Sequence, residues 1–362
     1  MNQLVKIFIV IFFNVFILKG IQAQTDVQLI KKRVVDSVMN SPVDDSRVET
    51  LINTLKPDGT WPGIDYIDVS REGFQHSEHL QNMVALARAY KTKSSEFYKN
   101  KKVKATIESA LKNWVDHDYF CENWHPNQIG TTGSLVSVML MVGDELPKDL
   151  VEKAQPIIGR ANLNASGARP SGDRIKIAGI LAKNLLFTGD YIQFAEVLKV
   201  IEGEIKSVDW IGAKYGYSYF KMESGLGTKK YEGRGIQFDK SFHHRIDGVN
   251  NTLSYGTGYA EAFVEWAVYT NGTQFAFSDE KKEQLVDYFL DGICKMSVYG
   301  KYPDFGAKNR SISREGALRA YNAKMAENLL ATTNYRKNEI QEIADIINKN
   351  KKPTLSHATF YW

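Results

Sequence analysis

Helical spacing dominates this sequence. Apolar residues recur three and four positions apart in segment after segment, and strict alternation is almost absent. The pattern predicts helices over residues 26–39, 43–55, 74–90, 95–115, 133–142, 148–159, 173–187, 191–205, 260–269, 278–299, 314–331 and 337–348. Many connections are short, so neighbouring helices should pack antiparallel. Long polar loops interrupt them at 117–132, 161–172 and 209–257, with a shorter one at 300–313. Loops beyond roughly 15 residues inside a compact domain are usually functional. The expected fold class is all-α, an incomplete α/α toroid of helical hairpins with its long loops gathered at one end. A helical solenoid would show a fixed-length repeat, and the sequence has none.

Charge and cysteine content narrow the function classes. The 362 residues carry a net charge of +4. That balance suits an acidic substrate but supplies no basic run for a nucleic acid duplex. Cys121 and Cys294 could pair in an oxidising compartment, yet two cysteines make neither a disulfide framework nor a metal site. Lys6, the apolar run 7–18 and Ala23 have the order of a secretory signal over residues 1–23, which predicts a secreted or periplasmic protein with no membrane span after cleavage.

The reactive side chains lie in the loops. Gly235 to Tyr259 holds His243, His244, Tyr255 and Tyr259 among small and polar residues. It reads either as an active loop entering a helix or as a surface loop with locally packed aromatics. The first long loop carries Asn123, Trp124, His125 and Asn127, a composition suited to stacking on a sugar ring and bonding its hydroxyls. Its bland counterpart is a Trp tucked into helix ends. Arg169 and Arg174 lie at 165–174, either clamping an anion or solvating a turn with a helix cap at Ser171 or Asp173. Arg310 and Arg314, four apart, would share one side of a turn entering a helix, where anions are favoured. No carboxylate pair stands out as a glycosidase acid and base. A set of His, Tyr, Asn and Arg suits β-elimination at a uronic acid instead. That reaction neutralises a carboxylate, removes the C5 proton and protonates the departing C4 oxygen.

Short blocks in one order strengthen this reading. They are Asn123-Trp124 through Ile129-Gly130-Thr131, then Gly235-Ile236-Gln237 with Asp239, Ser241, Phe242 and a His, then Ser254-Tyr255-Gly256, and finally Asn309-Arg310-Ser311-Ile312-Ser313-Arg314. This order resembles polysaccharide lyase family 8, the chondroitin AC type above the hyaluronate and xanthan types. The resemblance implies a toroid catalytic domain over 24–350 and eliminative cleavage of a uronic-acid polysaccharide. It further implies a monomer that needs no cofactor or metal. Tyr255 would transfer the proton, with His244 as its partner and His243 as the other candidate. Arg310 and Arg314 would hold the substrate and tune the tyrosine, Asn123 and Trp124 would position the chain, and Tyr259 would be a further contact. The sequence departs from the family at Ser166-Gly167-Ala168-Arg169, where a neutralising Asn is expected, so Arg169 or Asn127 would take that task. Residues 351–362 resemble the start of a connection to a β-sandwich region. Two other readings remain: a glycan-binding remnant without catalysis, and a toroid glycoside hydrolase.

Overall fold

The computed structural model describes residues 24–208, 234–244, 248–298, 300–349 and 351. The expected signal over 1–23 and all of 352–362 lie outside the described residues. Among the described residues, no helix is long and apolar enough to cross a membrane. The chain divides into two compact units.

The first unit comprises 24–161, 180–195 and 272–275. Its helices are α1 (24–39), α2 (Asp45–Thr54), α3 (His76–Lys91), α4 (Lys101–His117), α5 (Thr131–Val142) and α6 (Lys148–Ile158). It also holds part of α7 (Gly172–Thr188) and the start of α8 (Tyr191–Gly203). Helix α3 packs against both α4 and α5, and α5 and α6 pair through a short connection. The start of α4 shows how the sequence sets an element. The Asn100 side chain accepts from the backbone N–H groups of Lys102 and Val103, so the helix begins at 101 and not at 95. Val103, Ile107, Ala110, Leu111 and Trp114 then recur on one face and are wholly buried.

That buried face holds a histidine in a fixed state. His79 Nε2 lies 3.0 Å from the Ala110 carbonyl and Nδ1 lies 3.0 Å from the Tyr66 hydroxyl. Burial pushes the His79 imidazole down to about 4 and the Tyr66 phenol up to about 12. The folded protein therefore keeps His79 neutral where the unfolded chain, at 6.5, binds a proton. Stability is unaffected above the unfolded value and falls as the pH drops from 6.5 towards 4. This one residue should cost about 2.5 kcal/mol at pH 4.5. Urea denaturation at pH 7.5 and 4.5 checks this: in His79→Gln the difference between the two pH values should shrink by about that amount. An unchanged difference would refute it.

The second unit comprises 162–179, 196–271 and 276–349 with 351. Its helices are the remaining parts of α7 and α8, then α9 (Thr257–Thr270), α10 (Asp279–Asp287), α11 (Phe305–Lys308), α12 (Lys324–Thr332) and α13 (Lys337–Lys349). Helix α9 packs on α12, and α12 pairs with α13. Two small antiparallel ribbons interrupt the helices. Strand β1 (Gly235–Ile236) pairs with β2 (Phe242–His243), and β3 (Ser297–Val298) pairs with β4 (Tyr302–Pro303). Wide π-helical turns occupy Pro126–Gly130, Thr252–Gly256 and Tyr288–Cys294. Helical segments of this type cluster at functional sites. Both cysteines are buried and free, so the pairing considered from composition is not formed.

The all-α expectation holds, with three local differences. Residues 314–323 are turns, and the helix expected from 314 begins at Lys324. The helix expected over 278–299 passes into a π turn and ends at Cys294 before β3. The 300–313 loop contains β4, α11 and a 3-10 turn at Asn309–Ser313. Arg310 and Arg314 therefore do not open a helix, and the helix N-terminus they were expected to share is not there.

Candidate functional site

The site belongs to the second unit and is built around Tyr255 in the π turn that runs into α9. Side chains of the neighbouring ribbon fix that turn. Asn251 N–H donates to the Phe242 carbonyl at 2.7 Å, and Phe242 N–H donates to the Thr252 hydroxyl at 2.8 Å. The Thr252 hydroxyl donates to Asn250 Oδ1 at 2.7 Å. Phe242 is fully buried beside Tyr259 and Tyr288, and this anchors the ribbon. The Asp239-x-Ser241 block is turn chemistry: the Asp239 carboxylate accepts from the Ser241 N–H at 2.9 Å.

This frame lays His244 flat on Tyr255. The ring centroids are 3.7 Å apart and the planes differ by 4°. Arg234 Nη2 is 3.4 Å from His244 Nδ1 and 3.5 Å from Asp173 Oδ2. His244 Nε2 is 3.9 Å from that same Asp173 oxygen, and Arg169 donates to it at 2.9 Å. Arg234 is buried, with only 5% of its side chain exposed. A second acidic group lies alongside. Glu204 accepts from the Ser171 N–H at 2.5 Å and pairs with Arg174 at 3.3 Å. Burial, the largest effect, holds the Glu204 carboxyl above its usual range against the pull of Ser171, Lys206, Arg174 and Arg234. Ser171 sits at φ 85, a strained left-handed conformation for a residue with a side chain. Arg169, Arg174 and Arg234 thus gather with Asp173 and Glu204, three guanidinium groups against two carboxylates, next to His244. A positive excess of that kind attracts an anionic ligand.

The residues expected from sequence distribute unevenly. His244 and Tyr255 are in contact, and Arg169 reaches the same cluster through Asp173. His243 is half-buried, with Nε2 3.4 Å from the Ser241 hydroxyl. Arg314 is exposed and has no ion pair among the described residues, while the Arg310 side chain lies outside them. Asn123 forms a local turn by accepting from the His125 N–H, and Trp124 is half-buried and edge-on to His125. Both belong to the first unit.

Two expectations fail. Tyr259 is not a ligand contact: it is wholly buried, and its hydroxyl donates to the Glu204 carbonyl at 2.8 Å. Burial pushes its phenol far above the usual range. Asn127 cannot serve as the carboxylate neutraliser. It is buried, with its amide accepting from Cys121 N–H at 2.8 Å and donating to the Cys121 carbonyl at 2.7 Å. Asp173, Arg234 and Glu204 were not expected from sequence. Asp173 read as a helix cap and Arg234 as part of an irregular stretch, and neither has a spacing signal towards His244. Among the described residues, no group of three His, Cys, Asp or Glu side chains gathers as metal ligands.

Comparison with known proteins bears on the fold. Residues 23–166 match the family described as polysaccharide lyase family 8, N-terminal alpha-helical domain. Chondroitinase-AC of Pedobacter heparinus is 27% identical over 297 residues, covering 80% of this chain and 38% of that relative. The chain thus spans well under half the length of that relative. A solved chondroitinase AC lyase superposes with TM-score 0.76 at 24% identity, covering 88% of this chain and 44% of that one. A Streptomyces coelicolor chondroitin AC lyase gives 0.67 at 14% identity, covering 87% of this chain and 44% of that one. A Paenibacillus xanthan lyase gives 0.66 at 16% identity, covering 91% of this chain and 32% of that one. The shared fold is the all-α toroid class expected from the helical pattern.

Proposed function

We propose that this chain, which carries the helical domain of polysaccharide lyase family 8, cleaves a uronic-acid polysaccharide by β-elimination. The observation that carries the reading is Tyr255 stacked on His244, whose ring is flanked by the buried Arg234–Asp173 pair with the half-buried Arg169 behind it. The substrate class is acidic and chondroitin- or hyaluronan-like. In the reaction Tyr255 takes the C5 proton, and the C5–H electrons form the C4=C5 double bond. The C4–O bond breaks, and the same phenol returns the proton to the departing oxygen. A phenol that acts as a base is helped by nearby positive charge, and Arg234 and Arg169 lie around His244 and Asp173, next to the ring on which Tyr255 stacks. Arg169 is the candidate for pairing with the uronate carboxylate, and Arg310 and Arg314 for holding the polymer. Asn123 and Trp124 offer a sugar-stacking edge on the first unit. Export to the periplasm or the exterior is part of the same proposal and rests on the sequence of residues 1–23.

A second reading has one observation in its favour. Arg169 is already paired with Asp173, which spends part of the charge a substrate carboxylate would use. On that reading the protein binds acidic glycans without cleaving them. Incubation with chondroitin, hyaluronan and other uronate polymers separates the readings. Growth of ultraviolet absorbance from the new double bond is expected for the lyase. New reducing ends without absorbance indicate a hydrolase, and binding with neither product indicates the remnant. Both outcomes overturn the proposal.

A further inference from the structure

We propose that Arg234 and Asp173 lock the His244 imidazole with its proton on Nε2, which makes them positioning residues for the ring that holds Tyr255. The kinetic consequence rests on the lyase reading, whereas the tautomer does not.

The argument begins with what each group can offer. A guanidinium is always charged and has donors only. Arg234 Nη2 is 3.4 Å from His244 Nδ1, so that ring nitrogen presents its lone pair. A neutral imidazole carries one proton, and here it falls on Nε2. That nitrogen faces Asp173 Oδ2 at 3.9 Å, and a carboxylate oxygen is an acceptor. The lock closes on itself, because Arg234 also stands 3.5 Å from that oxygen and Arg169 donates to it at 2.9 Å. The Arg234 contact at Nδ1 and the electrostatic pull of Asp173 on Nε2 both favour this ring orientation, and the imidazole face lies 4° from the plane of Tyr255. Among the described residues, the charged and titratable groups facing it include Arg234 beside β1, Asp173 on α7 with Arg169 behind it, and Tyr255 on the π turn.

The arrangement divides the labour. The lone pair His244 would use as a base is engaged by a permanent cation. Accepting a proton there would set two N–H donors against each other. His244 is therefore a rigid wall for the phenol, and Tyr255 is the proton carrier. A hydrogen bond at one ring nitrogen selects the histidine tautomer elsewhere in protein chemistry.

The tautomer is tested directly on the full chain at pH 7 by nitrogen-15 correlation spectroscopy of imidazole-labelled protein. The His244 signals are identified by their loss in His244→Asn. An unprotonated Nδ1 and a protonated Nε2 are expected. A protonated Nδ1, alone or with Nε2, overturns the proposal. The kinetic arm uses Arg234→Met, which releases Nδ1. Its pH profile of turnover should gain a limb near the ordinary histidine value of about 6.5 that the wild type lacks. Arg234→Lys keeps a donor and should restore the wild-type shape. A Met variant whose profile runs parallel to the wild type also overturns the proposal. The spectroscopic arm needs no variant at position 234, so misfolding there leaves the proposal decidable. Absence of product from every uronate polymer would refute the lyase reading without touching the tautomer result.

Discussion

Tyr255→Phe is expected to abolish the growth of ultraviolet absorbance on uronate polymers while leaving the protein folded. The two halves of that result come from different parts of the side chain. The ring stacks on His244 at a centroid distance of 3.7 Å, and phenylalanine keeps it. The hydroxyl is the group that would take and return the proton, and phenylalanine removes it. A positioned proton-transfer group contributes about 10²- to 10⁴-fold, and one that acts as both base and acid sits at the upper end of that range. Binding of the polymer should persist, because the arginine cluster and the face of the ring are untouched. Turnover and binding affinity measured on one preparation therefore diverge in the lyase and fall together if Tyr255 only contacts substrate. Activity in Tyr255→Phe within about tenfold of the wild type would remove the tyrosine from the chemistry.

The parts of this site that were readable in sequence are the parts carried by local pattern. Helix positions followed from apolar spacing because burial of one face outweighs weak local preferences. His244 stood out because two of the chain's seven histidines are adjacent there, and Tyr255 because it is followed by small residues on the same loop. The partners of His244 had no such signal. Arg234 reaches it only because the β1–β2 turn folds residue 234 back alongside 244, and Asp173 comes from helix α7, far away in sequence. Contacts of that range leave no period in one sequence. Burial was equally hidden. Tyr255 and Tyr259 differ in sequence only by position, yet Tyr259 is fully buried and its hydroxyl is spent on the Glu204 carbonyl. The π turn at Thr252–Gly256 decides this, because one wide turn rotates Tyr255 out of the face that α9 buries. Asn127 failed as a neutraliser for a related reason. A side-chain amide has the same donors and acceptor as a backbone, and a loop that leaves Cys121 unpaired will claim it.

Gly256→Ala should damage the site more than any other single methyl group added near it. Its backbone is ordinary, at φ −68 and ψ −38, so conformational freedom is not why glycine stands there. Space is the reason. A Cβ at 256 would overlap the Tyr288 hydroxyl and stand 2.9 Å from Phe242 Cβ. Both neighbours are fully buried and neither can swing aside. Overpacking of this kind typically costs about 1–3 kcal/mol, against which the gain in helix propensity is at most about 1 kcal/mol. The easier relaxation moves the π turn, and with it Tyr255. A displacement of about 1 Å can cost roughly 100-fold in rate, so turnover should fall further than stability. Gly258 provides the contrast. A Cβ there would meet Lys176 Nζ at 3.2 Å, the tip of a long side chain that can move away. Gly258→Ala should therefore keep its denaturation midpoint or raise it, and keep its activity. If the two alanine variants match in midpoint and turnover, close packing at Gly256 is not what sets Tyr255 against His244.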